Sequence, residues 1–201
     1  AVNDNLSKFQ IPQKLYGREK EVNAILESFQ KTCEGNIEIM LISGFSGIGK
    51  SNLVKEIHKP ILVHRGYFIS GKYDQFQNNI PYSAIINAFR DLIRQILTEN
   101  TDRIQNWKIK LLNALGENGQ VLINVIPELE LIIGQSKPVQ ELSPNESQNR
   151  FKFVFQNFVK AIATKEHPLV LFLDDLQWGD NASYLLIKSL LSLSENLSLF
   201  F

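Results

Sequence analysis

Eight consecutive residues, Gly44-Phe45-Ser46-Gly47-Ile48-Gly49-Lys50-Ser51, have the types and spacing needed to hold a polyphosphate. Glycines permit φ > 0 and let backbone N–H groups close on anionic oxygens. A helix beginning near Gly49 adds the positive end of its dipole. In such a loop Lys50 would contact the β- and γ-phosphates, and the Ser51 hydroxyl would ligate Mg²⁺. A second group, Leu169-Val170-Leu171-Phe172-Leu173-Asp174-Asp175, ends an apolar run with two carboxylates. Asp174 is suited to the coordination sphere of the metal, and Asp175 to orienting an attacking water. Phosphoryl transfer is catalysed mainly by positioning and charge stabilisation, so Lys50 and Asp175 are the candidate catalytic residues.

Such groups work only if the chain holds them together. Ile37 to Ser43 is a short apolar run of strand type, and Leu53, Val54 and Ile57 follow the loop at helical spacing. Strand, loop, helix is the setting a phosphate loop requires. That helix is expected to end before Pro60. Strands are expected at Gly66–Ser70 and Leu169–Leu173, the second apolar throughout, as in a parallel sheet covered on both faces. An earlier helix spans Glu19–Lys31, and a late one Ala182–Leu193, before a terminal strand near Leu197. From Pro81 the pattern is helical: Tyr82, Ile85, Ile86, Phe89, Leu92, Ile93, Ile96 and Leu97 form one stripe. Ser143-Pro144-Asn145-Glu146 is a helix start with Ser as N-cap, Pro at the first position and Glu at the third. The expectation is an α/β parallel sheet with a helical insertion, about residues 81–164, between the second and third strands. Residues 1–15 read as a linker from an upstream domain and 16–201 as one domain.

Composition narrows the partners. Lys+Arg and Asp+Glu both total 21 among 201 residues, so no net charge draws a polyanion, and nucleic-acid binding is disfavoured. Cys33 stands alone, which allows no internal disulfide and fits a reducing, cytoplasmic setting. No apolar run approaches the ~18 residues of a membrane span, so no membrane partner is expected. Leu197-Ser198-Leu199-Phe200-Phe201 is strand-like and apolar, and reads as a chain cut from something longer and stopped inside a strand.

Three stretches together resemble a known family: Leu15-Tyr16-Gly17-Arg18-Glu19-Lys20-Glu21, the phosphate loop, and Leu173-Asp174-Asp175-Leu176-Gln177-Trp178-Gly179-Asp180. They are similar to the STAND class of AAA-type ATPases, and more narrowly to the ATPase module of large bacterial multidomain signalling kinases. Gly71-Lys72-Tyr73-Asp74-Gln75-Phe76 and Asn149-Arg150-Phe151 resemble the same subgroup. The resemblance implies a three-layer P-loop NTPase fold in which the terminal strand lies between the phosphate-loop strand and the Asp174 strand. It also implies that Tyr16, Gly17 and Arg18 lie near the base and sugar of ATP or ADP. Gln177, Trp178 and Asp180 match the family signature, and Asp180 also suits a helix cap. The family's sensor-1 residue, helical lid and winged helix would follow Phe201, and no arginine finger can be named.

The leading expectation is a nucleotide switch in which ATP·Mg²⁺ favours an open or self-associated state and hydrolysis resets it. Other domains of the same polypeptide, including a protein kinase, would be its partners. The alternative is a regulatory or scaffold module that binds nucleotide without significant hydrolysis. An origin-type AAA protein acting on DNA shares the Gly-Arg-Glu opening, but the balanced charge argues against it.

Overall fold

Alternation along the strands divides the core in two. Strands β1 (Ile37–Glu38), β2 (Tyr67–Lys72), β3 (Leu169–Asp174) and β4 (Leu199–Phe200) pair in parallel in the order β1-β4-β3-β2. Successive side chains in a strand point to opposite faces. Tyr67, Ile69, Leu169, Leu171 and Leu199 accordingly join one buried cluster, while Val170 and Phe200, with Phe68 beside them, join another. The second cluster is closed by Ile25 and Phe29 of α1 (Glu19–Cys33), by Ile57, and by Ile61 of α3 (His58–Val63). Between β1 and α3 lies α2 (Lys50–Lys55), which follows the phosphate loop. The computed structural model describes residues 17–45, 49–75, 80–193 and 197–201. The proposed linker, 1–15, and Tyr16 lie outside them.

The larger cluster belongs to the helical insertion between β2 and β3. It comprises α4 (Ser83–Leu97), α5 (Thr101–Leu115), α6 (Gly119–Ile123), α7 (Glu130–Ile133) and α8 (Pro144–Ile162). The expected cap is present at α8, where the Glu146 carboxylate accepts from the Ser143 N–H at 3.1 Å and from its Oγ at 2.6 Å. Phe89 of α4 meets Phe155 and Phe158 of α8 with ring centroids 4.9 and 5.6 Å apart. After β3 the chain forms α9 (Asn181–Leu191), whose Leu186 and Leu190 complete this cluster. Gly71 on β2 sits so close to α4 that a Cβ there would meet the Ala84 carbonyl oxygen at 2.3 Å. Only glycine allows that approach.

One ion-pair network ties α4 to the turn ahead of α7. Glu128 accepts from Arg90 Nε and Nη2 at 3.0 and 2.9 Å and from Arg94 Nη2 at 2.7 Å. The Arg90 hydrogen bonds hold the Glu128 carboxyl down to about 2 from its ordinary 4.5. A depressed carboxylate stabilises the fold above its unfolded value, and that contribution disappears as pH falls through the folded value. Glu128→Gln is therefore expected to flatten the stability profile between about pH 4.5 and 2, as followed by urea unfolding. At neutral pH the same change should cost on the order of 1 kcal/mol, because the arginines are largely solvated.

One local expectation is corrected. The apolar run 37–43 forms strand only at Ile37–Glu38. Its ladder extends one step further, Phe201 N–H donating to Glu38 O and Met40 N–H to Phe201 O. Beyond Met40 no described strand lies beside it, and Leu41 is 77% exposed. As expected, α2 ends before Pro60, at Lys55, and Pro60 itself occupies the first turn of α3, where a missing N–H leaves no bond unmade. Among the described residues no helix is long and apolar enough to cross a membrane.

Candidate functional site

A cavity of about 760 Å³ opens at the carboxyl ends of β1 and β3. This is where open α/β sheets bind ligands. Gly44, Lys50, Asp174 and Asp175 all line it, with Gln177 beside them and an apolar wall that includes Met40 and Leu173. The two sequence groups that could do chemistry, far apart in the chain, thus face one space. A smaller concavity of about 280 Å³ lies at the entering ends of β2 and β3, around Arg65 and His167, and holds none of the expected site residues.

Gly49 caps α2 in a left-handed conformation, φ 92°, which an L side chain rarely adopts. Among the described residues, a Cβ there would meet nothing within 4 Å. The Lys50 ammonium donates to the Gly44 and Phe45 carbonyls at 2.8 and 3.1 Å. Both partners are neutral, so the lysine charge is held over the loop without being cancelled. Ser51 is exposed in the first turn of α2 and does not line the cavity. Ser46, Gly47 and Ile48, the middle of the loop, lie outside the described residues, as does Tyr16.

β3 delivers the acids. Its register with β2 sets Leu173 opposite Gly71 and Asp174 opposite Lys72. Asp174 Oδ1 accepts from the Asp175 N–H at 3.0 Å. Asp175 then turns left-handed, φ 56° and ψ 43°, which ends the strand and swings its carboxylate sideways. There Lys72 Nζ approaches Asp175 Oδ2 to 3.5 Å, and Gln177 Nε2 donates to Oδ1 at 3.2 Å. Lys72 is 70% exposed, so this ion pair is well solvated and easily exchanged. Gly17 and Arg18 precede α1 and do not line the cavity.

The arrangement has a counterpart among known proteins. A family model described as an AAA ATPase domain matches residues 14–201. This chain belongs to that family. Hybrid signal transduction histidine kinase G of Dictyostelium discoideum is 43% identical over 188 residues, 94% of this chain and 5% of that protein. Histidine protein kinase 1 of Candida albicans is 21% identical over 197 residues, 90% of this chain and 8% of that protein. Peroxide stress-activated histidine kinase mak3 of Schizosaccharomyces pombe is 28% identical over 170 residues, 64% of this chain and 7% of that protein. The AAA domain thus spans under a tenth of each of these relatives. No solved structure matches it.

Within this AAA ATPase domain, sequence reasoning overlooked Lys72 as a partner of the acids. The residue was visible only as part of a resembling stretch. Its significance comes from the parallel register of β2 against β3, which no local pattern specifies.

Proposed function

We propose that this AAA domain binds ATP or ADP with Mg²⁺ and serves as the nucleotide switch of a multidomain signalling protein. The observation that supports it is the convergence of Gly44, Lys50, Asp174 and Asp175 on one cavity. Gly44 to Gly49 would hold the phosphates through backbone N–H groups, and Lys50 would leave its two carbonyls for the β- and γ-oxygens. Tyr16, Gly17 and Arg18 would approach base and sugar.

The donor set fits Mg²⁺. Among the described residues no three His, Cys, Asp or Glu side chains cluster as a cage for a metal. Magnesium is ordinarily held by one or two carboxylates together with substrate phosphates; Asp174, which lines the cavity, would supply one such oxygen, and Ser51, in the first turn of α2, would have to turn toward it to supply another. When bound it would neutralise charge on the β- and γ-oxygens. Asp175 would accept a hydrogen bond from the attacking water and hold it in line. For that its carboxylate must first leave Lys72.

Finer readings belong to the same proposal. They are a STAND-type module at residues 16–201 with its insertion at about 81–164, preceded by the linker 1–15. Other domains of a histidine or serine/threonine kinase would be its partners, in the cytoplasm, with self-association on ATP binding. The relatives named above are kinases of an amoeba and two yeasts, which supports the signalling context and not a bacterial one. A second reading, binding without significant hydrolysis, is favoured by the engagement of Asp175 with Lys72 and Gln177. ATP turnover by the full-length protein separates the two.

Calorimetric titration with ATP and Mg²⁺ tests the core of the proposal. Lys50→Ala removes a charge-assisted phosphate contact and should weaken ATP binding about 10- to 100-fold. Equal affinity in both proteins would refute it.

A further inference from the structure

The smaller concavity, about 280 Å³ at the entering ends of β2 and β3, has a chemistry that the nucleotide reading does not use. Three cations line it: Arg65 from the turn between α3 and β2, and Arg103 and Lys110 from α5. Arg103, Trp107 and Lys110 follow one another at spacings of four and three, which sets them on one face of that helix. Glu99, Glu166 and His167 also face the space.

Arg65 stands where a glycine is usual. α3 ends with the Arg65 N–H donating to Leu62 O at 3.2 Å and the Gly66 N–H to Ile61 O at 2.9 Å. This pair of bonds needs a left-handed residue after the helix cap, and Arg65 supplies it at φ 52°. A long side chain is disfavoured in that conformation, so the turn alone gives no reason for an arginine. Its backbone is held in place all the same, because His167 Nδ1 donates to the Arg65 carbonyl at 3.0 Å. Residues kept in sparsely populated conformations cluster at binding sites. Among the described residues the Arg65 guanidinium makes no ion pair and no hydrogen bond.

Lys110 is half-buried, its ammonium 5.0 Å from the centre of the Trp107 ring. Trp107 in turn packs on the His167 ring at 5.2 Å, which steadies that wall. Burial pushes the Lys110 ammonium below its usual value, and Glu166 offsets the effect only in part. A cation drawn from water without an ion-pair partner is stabilised by an anion that reaches it.

The charges select the kind of anion. Glu99 is already engaged, accepting from the Tyr67 hydroxyl and standing 3.8 Å from Arg103. With that pair set aside, Arg65 and Lys110 oppose only Glu166, which leaves one positive charge in excess when His167 is neutral. One carboxylate balances it. A phosphate dianion exceeds it and is repelled by Glu99 and Glu166. The volume is near the lower limit for small-molecule sites and suits a compact body such as a single ring.

We propose that this concavity binds a small organic monocarboxylate, its acid held by Arg65 and Lys110 and its apolar body set against Trp107. The planar guanidinium of Arg65 matches the two oxygens of a carboxylate, and the Lys110 ammonium adds a point charge. The site lies at the other end of β2 and β3 from Asp174, so it stands whether or not the larger cavity takes nucleotide.

Ligand-observed NMR of benzoate with the full-length protein provides the test. The wild type should bind benzoate, and Arg65→Gly and Lys110→Gln should each weaken that binding about tenfold or more. Arg65→Gly places the favoured residue at φ 52°, so its melting temperature should stay level or rise, and loss of benzoate cannot then be a failure to fold. Lys50→Ala should bind benzoate as the wild type does, and inorganic phosphate should not displace it. A wild type without benzoate binding would overturn the inference, as would either variant binding as tightly as the wild type. Displacement by phosphate would refute the carboxylate assignment. Loss of benzoate on Lys50→Ala would put the ligand in the larger cavity instead, and a lower melting temperature for Arg65→Gly would make that arginine a structural residue.

Discussion

Asp175→Asn in the full-length protein is expected to lower ATP turnover by about 10²- to 10⁴-fold, the range for loss of a group that assists proton transfer. ATP affinity should remain close to that of the wild type, since the phosphate contacts assigned to Lys50 and the loop are untouched. The substitution is structurally gentle. Asp175 sits at φ 56°, and asparagine tolerates the left-handed region better than other side chains. Gln177 Nε2 can still donate to the remaining amide oxygen. Steady-state ATPase measurements beside equilibrium binding read the two effects separately. Turnover that survives the substitution would remove Asp175 from the chemistry. Absence of turnover in the wild type would favour the binding-only reading.

Phe155→Ala should be the most damaging change to stability, costing about 3–5 kcal/mol. Phe155 is fully buried on α8, with Phe89, Phe151 and Phe158 at 4.9, 5.7 and 6.1 Å. Those rings sit on helices fixed by the sheet and cannot collapse into the space a methyl leaves. For a chain of this size the loss corresponds to a fall of roughly 10 °C in melting temperature, measurable by calorimetry. A drop of only one or two degrees would mean that the insertion repacks freely.

Local chemistry was legible in the sequence. Ser143, Pro144 and Glu146 specify a helix start through contacts within four residues, and α8 begins there. The apolar run ending at Asp174 predicts a covered parallel strand, and β3 is one. The order of strands, with β4 between β1 and β3, follows from the family resemblance and not from periodicity. What the sequence hid depends on neighbours far along the chain. Residues 39–43 have strand composition, but their conformation is set by what lies beside them. The contacts of Asp175 with Lys72 and of Asp180 with Tyr82 join segments about a hundred residues apart. Neither side chain reveals its partner by type.

The parallel sheet has a consequence for how the molecule comes into being. β1 meets β4 across about 160 residues of sequence, and β2 meets β3 only after the whole helical insertion has been spanned. Pairings of such high contact order form late, because the entropy of closing a large loop is lost before any strand contact compensates it. The helices from α4 to α8 draw on local contacts and are free to assemble first, even while the polypeptide is still emerging from the ribosome. The nucleotide cavity would then be among the last features to mature, completed only once β1 and β4 have been brought to the same sheet.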